Sequence, residues 1–180
     1  MKYIVLVWVV PFMALKKSSD VIAVSFDITE SALNTFTQEQ INLTLDPLNN
    51  EVFVVLAVDL DVGAPSAIAA TNTQSTMALS TTSKTSMPSI ADSQCIARVQ
   101  RQLLAAGYVD AAVGFAHTSP NSPTATLDYI AIIATNNAFV SIVGAANAGP
   151  ISGSGRMWGY RARADASTYG ALVQSEVLSS

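Results

Sequence analysis

Apolar and polar residues alternate along most of this chain with a period of two, the signature of strands buried on one face. In VIAVSFDIT, Val24, Phe26 and Ile28 fall on one side, with Ser25, Asp27 and Thr29 on the other. INLTL repeats the pattern, placing Ile41, Leu43 and Leu45 inward. The following DPLNN is a turn with a mechanism, since proline presets φ and asparagine tolerates left-handed backbone. EVFVVLAVDLDV is the strongest strand: Val52, Val54, Leu56, Val58, Leu60 and Val62 are predicted to share one face. Its other face begins apolar at Phe53 and Val55 and ends acidic at Asp59 and Asp61. Such a strand is buried on both faces at one end and meets solvent at the other.

Residues 63–91 are rich in Ser, Thr and Ala and read as a long surface loop, with one β-rich segment around MALSTTSK. Residues 92–106 are the one predicted helix. Asp92 or Ser93 supplies a cap, Ile96, Val99 and Leu103 recur at helical spacing, and Gly107 stands where a terminating glycine belongs. The rest reads as strands between turns: VDAAVGFAH, TLDYIAIIAT, AFVSIVGAA, GRMWGYRARAD and STYGALVQSEVLSS. Roughly eight to ten short strands at about ten-residue spacing predict an all-β, single-domain antiparallel β-sandwich of the jelly-roll kind.

Residues 1–17 stand apart from residues 18–180, the predicted sandwich domain. The apolar run from Tyr3 to Leu15 lies between Lys2 and the pair Lys16/Lys17. It is shorter than the roughly 20 residues that span a bilayer. Three readings are open: an ordered arm or strand of an assembly, a signal or anchor segment, or an extension ahead of a start at Met13.

Composition sharpens the picture. Among 180 residues there are nine basic and thirteen acidic side chains, one His and one Cys, while half are hydrophobic. Acid–base and metal chemistry draw on residue types that are scarce here. No nucleophile elbow, phosphate-binding glycine loop or calcium loop occurs, so the expected class is not an enzyme and no cofactor is expected. His117 and Cys95 read as a hydrogen-bonded surface imidazole and a small packed thiol. Asp59 and Asp61 share a strand face as two ligands of a hard cation would, but nothing adjacent completes a shell of six or more oxygens. Their simpler role is to pair with arginine across strands. A net charge of −4 makes nucleic-acid contact weak at most.

The sharpest local feature is GRMWGYRARAD. It sets Trp158 and Tyr160 on one side of a strand and Arg161 and Arg163 on the other, with Arg156 just ahead. Trp, Tyr and Arg concentrate binding energy at interfaces. With Tyr3 and Trp8 they are the predicted contact residues between copies. A sandwich of low charge with Ser/Thr/Ala loops resembles viral capsid proteins in architecture and composition over most of the chain. The resemblance implies a self-assembling shell subunit whose partners are copies of itself, other virion proteins among them, located in the virion. A fibre or pilus-type subunit at the cell surface, using the N-terminal run as leader or donated strand, is the alternative. A small ligand- or carbohydrate-binding sandwich comes third.

Overall fold

The computed structural model describes residues 15–107, 115–118 and 127–178. Ten strands and two short helical elements follow in order: β1 (Leu15–Lys17), β2 (Ile22–Thr29), β3 (Thr37–Asn42), a 3-10 turn (Pro47–Asn49), β4 (Glu51–Val62), β5 (Thr73–Ser80), β6 (Cys95–Leu104), β7 (Phe115–Thr118), β8 (Ala131–Ile133), β9 (Asn137–Ala145), β10 (Ser152–Ala164) and α1 (Ala166–Leu178). They form two antiparallel sheets packed face to face, an all-β sandwich. One sheet runs β1-β10-β4-β8, with β2 on β10 beside β1; the other runs β3-β9-β5-β6-β7. The pairing is nested: β2 with β10, β3 with β9, β4 with β8, and β5 with β6 at the centre.

The alternation seen in the sequence fills the space between the sheets. Ile28, Ile41, Leu43 and Leu45 are buried there, with Phe53, Met77, Leu79, Val99, Ile142 and Met157. In the DPLNN turn, Asp46 accepts the Leu48 N–H at 3.0 Å, and Asn50 takes the left-handed conformation at φ 51°.

Strand β4 departs from simple alternation. Trp158 pairs with Ala57 and Gly159 with Val55, leaving Leu56 as an extra residue on β4. A bulge of this kind flips the side chains beyond it. Phe53 and Val55 therefore point into the main core with Val58, Leu60 and Val62, whereas Val52 and Val54 point outward. The six alternating valines and leucines do not share a face. All the same, the strand is buried on both sides near its start and exposed at Asp59 and Asp61.

Two segments exchange the expected structures. Residues 95–104 form β6, paired with β5 over eight positions, not a helix. The spacing of Ile96, Val99 and Leu103 satisfied a helical period. The structure instead uses Ala97 and Val99 as its buried positions, with Arg98 between them and Gln100 after. Asp92 caps a turn, accepting the Gln94 N–H at 2.9 Å and bridging Lys84 at 3.0 Å. The helix forms at residues 166–178, where a strand was expected. Asp165 opens it, accepting the Thr168 N–H at 2.8 Å and hydroxyl bonds from Ser167 and Thr168. Those bonds hold its carboxyl at about 2, below the ordinary range.

Helix α1 lies on the outer face of the first sheet. Tyr169, Leu172 and Val173 cover Val52, Val54, Ala134, Ala162 and Ala164 in a second core, joined by Leu15 and Tyr160. Glu176, one turn further along the same stripe, is buried and accepts the N–H groups of Ala134 (2.8 Å) and Thr135 (3.0 Å). At the opposite end of the sandwich Glu30 plays the same part, accepting from Gly144 (2.6 Å) and Ile151 (2.8 Å). Asn147 ties three loops there, through the Ser66 N–H, the Gln74 carbonyl and Asn34. Each carboxylate satisfies two backbone donors that burial would otherwise leave unpaired.

Candidate assembly surfaces

Strand β10 carries five of the predicted contact residues, and the bulge beside it distributes them among three environments. Trp158 is half-buried on the outer face, and the residues directly opposite it are Ala23 on β2 and Ala57 on β4. The Arg156 guanidinium lies 5.9 Å from the indole centroid and its Nε donates to Ser25 Oγ at 3.2 Å. Arg156 stands opposite Asp59 in the ladder. Asp61, two residues on, pairs with Arg101 at 2.8 Å. Phe26 and Ser154 complete a shallow cleft with Ser25, Asp59, Arg156 and Trp158. The two aspartates thus act beside arginines, and among the described residues no group of three or more His, Cys, Asp or Glu could hold a metal ion.

Tyr160 belongs to the second core beneath α1, its ring 5.1 Å from Lys17 Nζ. Its contacts lie within the subunit.

Arg161 also works internally. Its guanidinium donates to Leu43 O (3.3 Å) and Thr44 Oγ1 (2.8 Å), fastening β10 to the chain that leaves β3 in the other sheet. Its backbone N–H donates to Ser19 Oγ at 2.8 Å. Arg163, two residues later, is exposed between Lys16 and Glu51 in the ladder. The two arginines therefore separate by substitution. Arg161→Ala is expected to lower unfolding free energy by about 1–3 kcal/mol, the worth of hydrogen bonds from a charged donor, and Arg163→Ala by less than about 0.5 kcal/mol. Urea unfolding of both variants checks the contrast.

Tyr3 and Trp8 lie outside the described residues. His117 pairs through its backbone with Gln102 on the edge strand β7. Cys95 is partly buried, its thiol 3.6 Å from Ala97 O and pushed up in pKa first by burial and then by Asp92. Burial of that kind makes a thiol less reactive.

Sequence patterning missed the apolar surface before β8. Leu127 and Tyr129 are exposed by about half, although TLDYIAIIAT reads as one continuous strand. Among its described residues only Ala131–Ile133 form a strand, paired with Val55, Val54 and Phe53 of β4. A cleft opens alongside, lined by Ile96, Ile130, Ala131, Ile132, Leu172 and Glu176, among others. No helix among the described residues is long and apolar enough to cross a membrane. No protein-family model matches the chain, and no curated protein matches it in sequence.

Proposed function

We propose that this protein is a structural, self-assembling subunit, the shell protein of a virus or virus-like particle, folded as a single jelly roll and acting without a catalytic step. The observation that carries the reading is the nested pairing of β2 with β10, β3 with β9, β4 with β8 and β5 with β6. A chain paired in this way behaves as one long hairpin rolled about a core. That arrangement recurs in capsid proteins, lectins and cupins.

Side-chain chemistry separates these three. A metal-binding barrel draws on clustered histidines and carboxylates, and the chain has one histidine. A sugar-binding face draws on open aromatic platforms, whereas Trp158 is half-buried under Arg156 and Tyr160 lies beneath α1. A shell subunit needs neither. It needs a rigid sandwich and surface that is covered by neighbours, and a chain with 12% charged residues carries little charge to keep copies apart.

Electron microscopy of the purified chain tests the reading. Closed particles of uniform diameter are the expected result. Filaments would replace it with a fibre subunit, and dispersed single subunits at every concentration would overturn it.

A further inference from the structure

The chain carries two strand-forming apolar segments, one at a sheet edge among the described residues and one outside them. One is the stretch entering β8. Residues 127–133 (LDYIAII) alternate as a strand should, yet three of them pair and Leu127 and Tyr129 stand exposed by 55% and 48%. The Ile130 N–H donates to Val55 O at 2.9 Å, and Ala131 and Ile133 turn their backbone groups toward β4, opposite Val55 and Phe53, because Val54 and Val52 turn theirs toward β10. By alternation, Ile132 turns its backbone groups toward the far side, the side on which the Ala134 N–H meets Glu176. On that side β8 is the last strand of its sheet, and no described residue continues the ladder. The cleft lined by Ile96, Ile130, Ala131, Ile132 and Leu172 runs beside this edge. An edge bordered by apolar side chains is a template for another strand.

The other segment is YIVLVWVV, residues 3–10, built from β-branched and aromatic residues with high strand propensity. It precedes Leu15, which pairs with Ala164 at the opposite edge of the same sheet. Fourteen extended residues reach roughly 45 Å, beyond the width of one subunit's sheet, whose four strands span about 14 Å. The direct route across a subunit's own sheet is occupied, because α1 packs on the outer sides of β4 and β10 there.

Resting on the reading of this protein as a self-assembling subunit, we infer that residues 127–133 accept residues 3–10 of a neighbouring copy as an added strand. Main-chain hydrogen bonds supply association, and Leu127, Tyr129 and the cleft receive alternate side chains. Leu15, to which the donor is joined in sequence, and the acceptor lie at opposite edges of one sheet, so the contact is head-to-tail. Each copy gives a strand on one side and takes one on the other, and repetition closes a ring or shell when the rotation between copies permits.

Cysteine cross-linking tests the contact. In a Cys95→Ser background, chains carrying only Val5→Cys are mixed with chains carrying only Tyr129→Cys, disassembled, reassembled and oxidised. The expected result is a covalent dimer containing one copy of each, absent when either chain is oxidised with the Cys-free background chain. As a second arm, Leu127→Asp with Tyr129→Asp changes two exposed side chains; it is expected to leave thermal unfolding unshifted and to reduce assembled mass at least tenfold, and deletion of residues 1–12 is expected to do the same. Assembly that survives both changes, with no mixed dimer, would overturn the strand exchange while leaving the shell reading in place. A disulfide formed only within single chains carrying both cysteines would also overturn it. Failure of the unmodified chain to assemble would instead remove the shell reading itself.

Discussion

Replacing Glu30 by alanine is expected to lower unfolding free energy by about 3–5 kcal/mol, the range for breaking a buried charged contact. Glu30 is 4% exposed, and its two oxygens hold the N–H groups of Gly144 and Ile151, on either side of the turn between β9 and β10. Alanine removes both acceptors and leaves two buried donors without their partners. The Glu30 backbone N–H donates to Ile151 O at 2.9 Å, so the loop after β2 and the start of β10 are held by the same residue. At about 2–4 °C per kcal/mol for a chain of this size, the midpoint is expected to fall by roughly 6–20 °C. Glu30→Gln keeps one good acceptor and should recover part of the loss. Calorimetry on the three proteins decides the matter; an alanine variant within 1 °C of the parent would mean that the carboxylate holds nothing.

The second large effect is expected at Gly159. A methyl group there would sit 2.4 Å from the Val54 carbonyl oxygen and 2.5 Å from the Phe53 ring. The bulge at Leu56 brings β4 this close, and neither obstacle is a free side-chain end: one is backbone and the other is a ring buried in the main core. Gly159→Ala must therefore move β4 or β10, at a cost of about 3 kcal/mol or more. Gly149→Ala is the control, because a Cβ at Gly149 meets nothing within 4 Å. Soluble yield and urea midpoint should fall for Gly159→Ala and stay unchanged for Gly149→Ala.

These two sites mark where local sequence stops being informative. The sandwich itself was legible because period two is a local property: Val24, Phe26 and Ile28 specify their face without knowing their partners. The turn at Asp46–Asn50 was legible for the same reason. The bulge at Leu56 was not, since it exists only relative to β10, and EVFVVLAVDLDV alternates without interruption. Residues 92–106 carried capping and spacing that suit a helix, yet they became β6 because β5 offered a full ladder of partners. Conversely, ASTYGALVQSEVL contains Gly170 and two valines that weaken a helix. It is held as one by the Asp165 cap and by Val52 and Val54 beneath it. The stripe Tyr169, Leu172, Val173 and Glu176 was present in the sequence at helical spacing, and Asp165 ahead of it was the signal that could have found the helix.

The candidate surface was legible in composition more than in detail. GRMWGYRARAD does hold a Trp, a Tyr and three arginines on one strand, but strand alternation alone could not tell which of them the subunit uses itself. Arg161 reaches across to Leu43 and Thr44, and Tyr160 is covered by a helix that was not foreseen. Arg156, Trp158 and Arg163 remain on the surface. Glu30 and Glu176 were passed over because a lone carboxylate carries no pattern; the donors they satisfy lie 114 and 42 residues away.

The proposed function requires that this sandwich associate with copies of itself. Multi-angle light scattering on the chain as it elutes from a size-exclusion column measures that directly, since the subunit mass is 18.9 kDa. A single high-mass species, many times the subunit mass and stable on dilution, is the expected result. A folded species of 18.9 kDa at every concentration would contradict it.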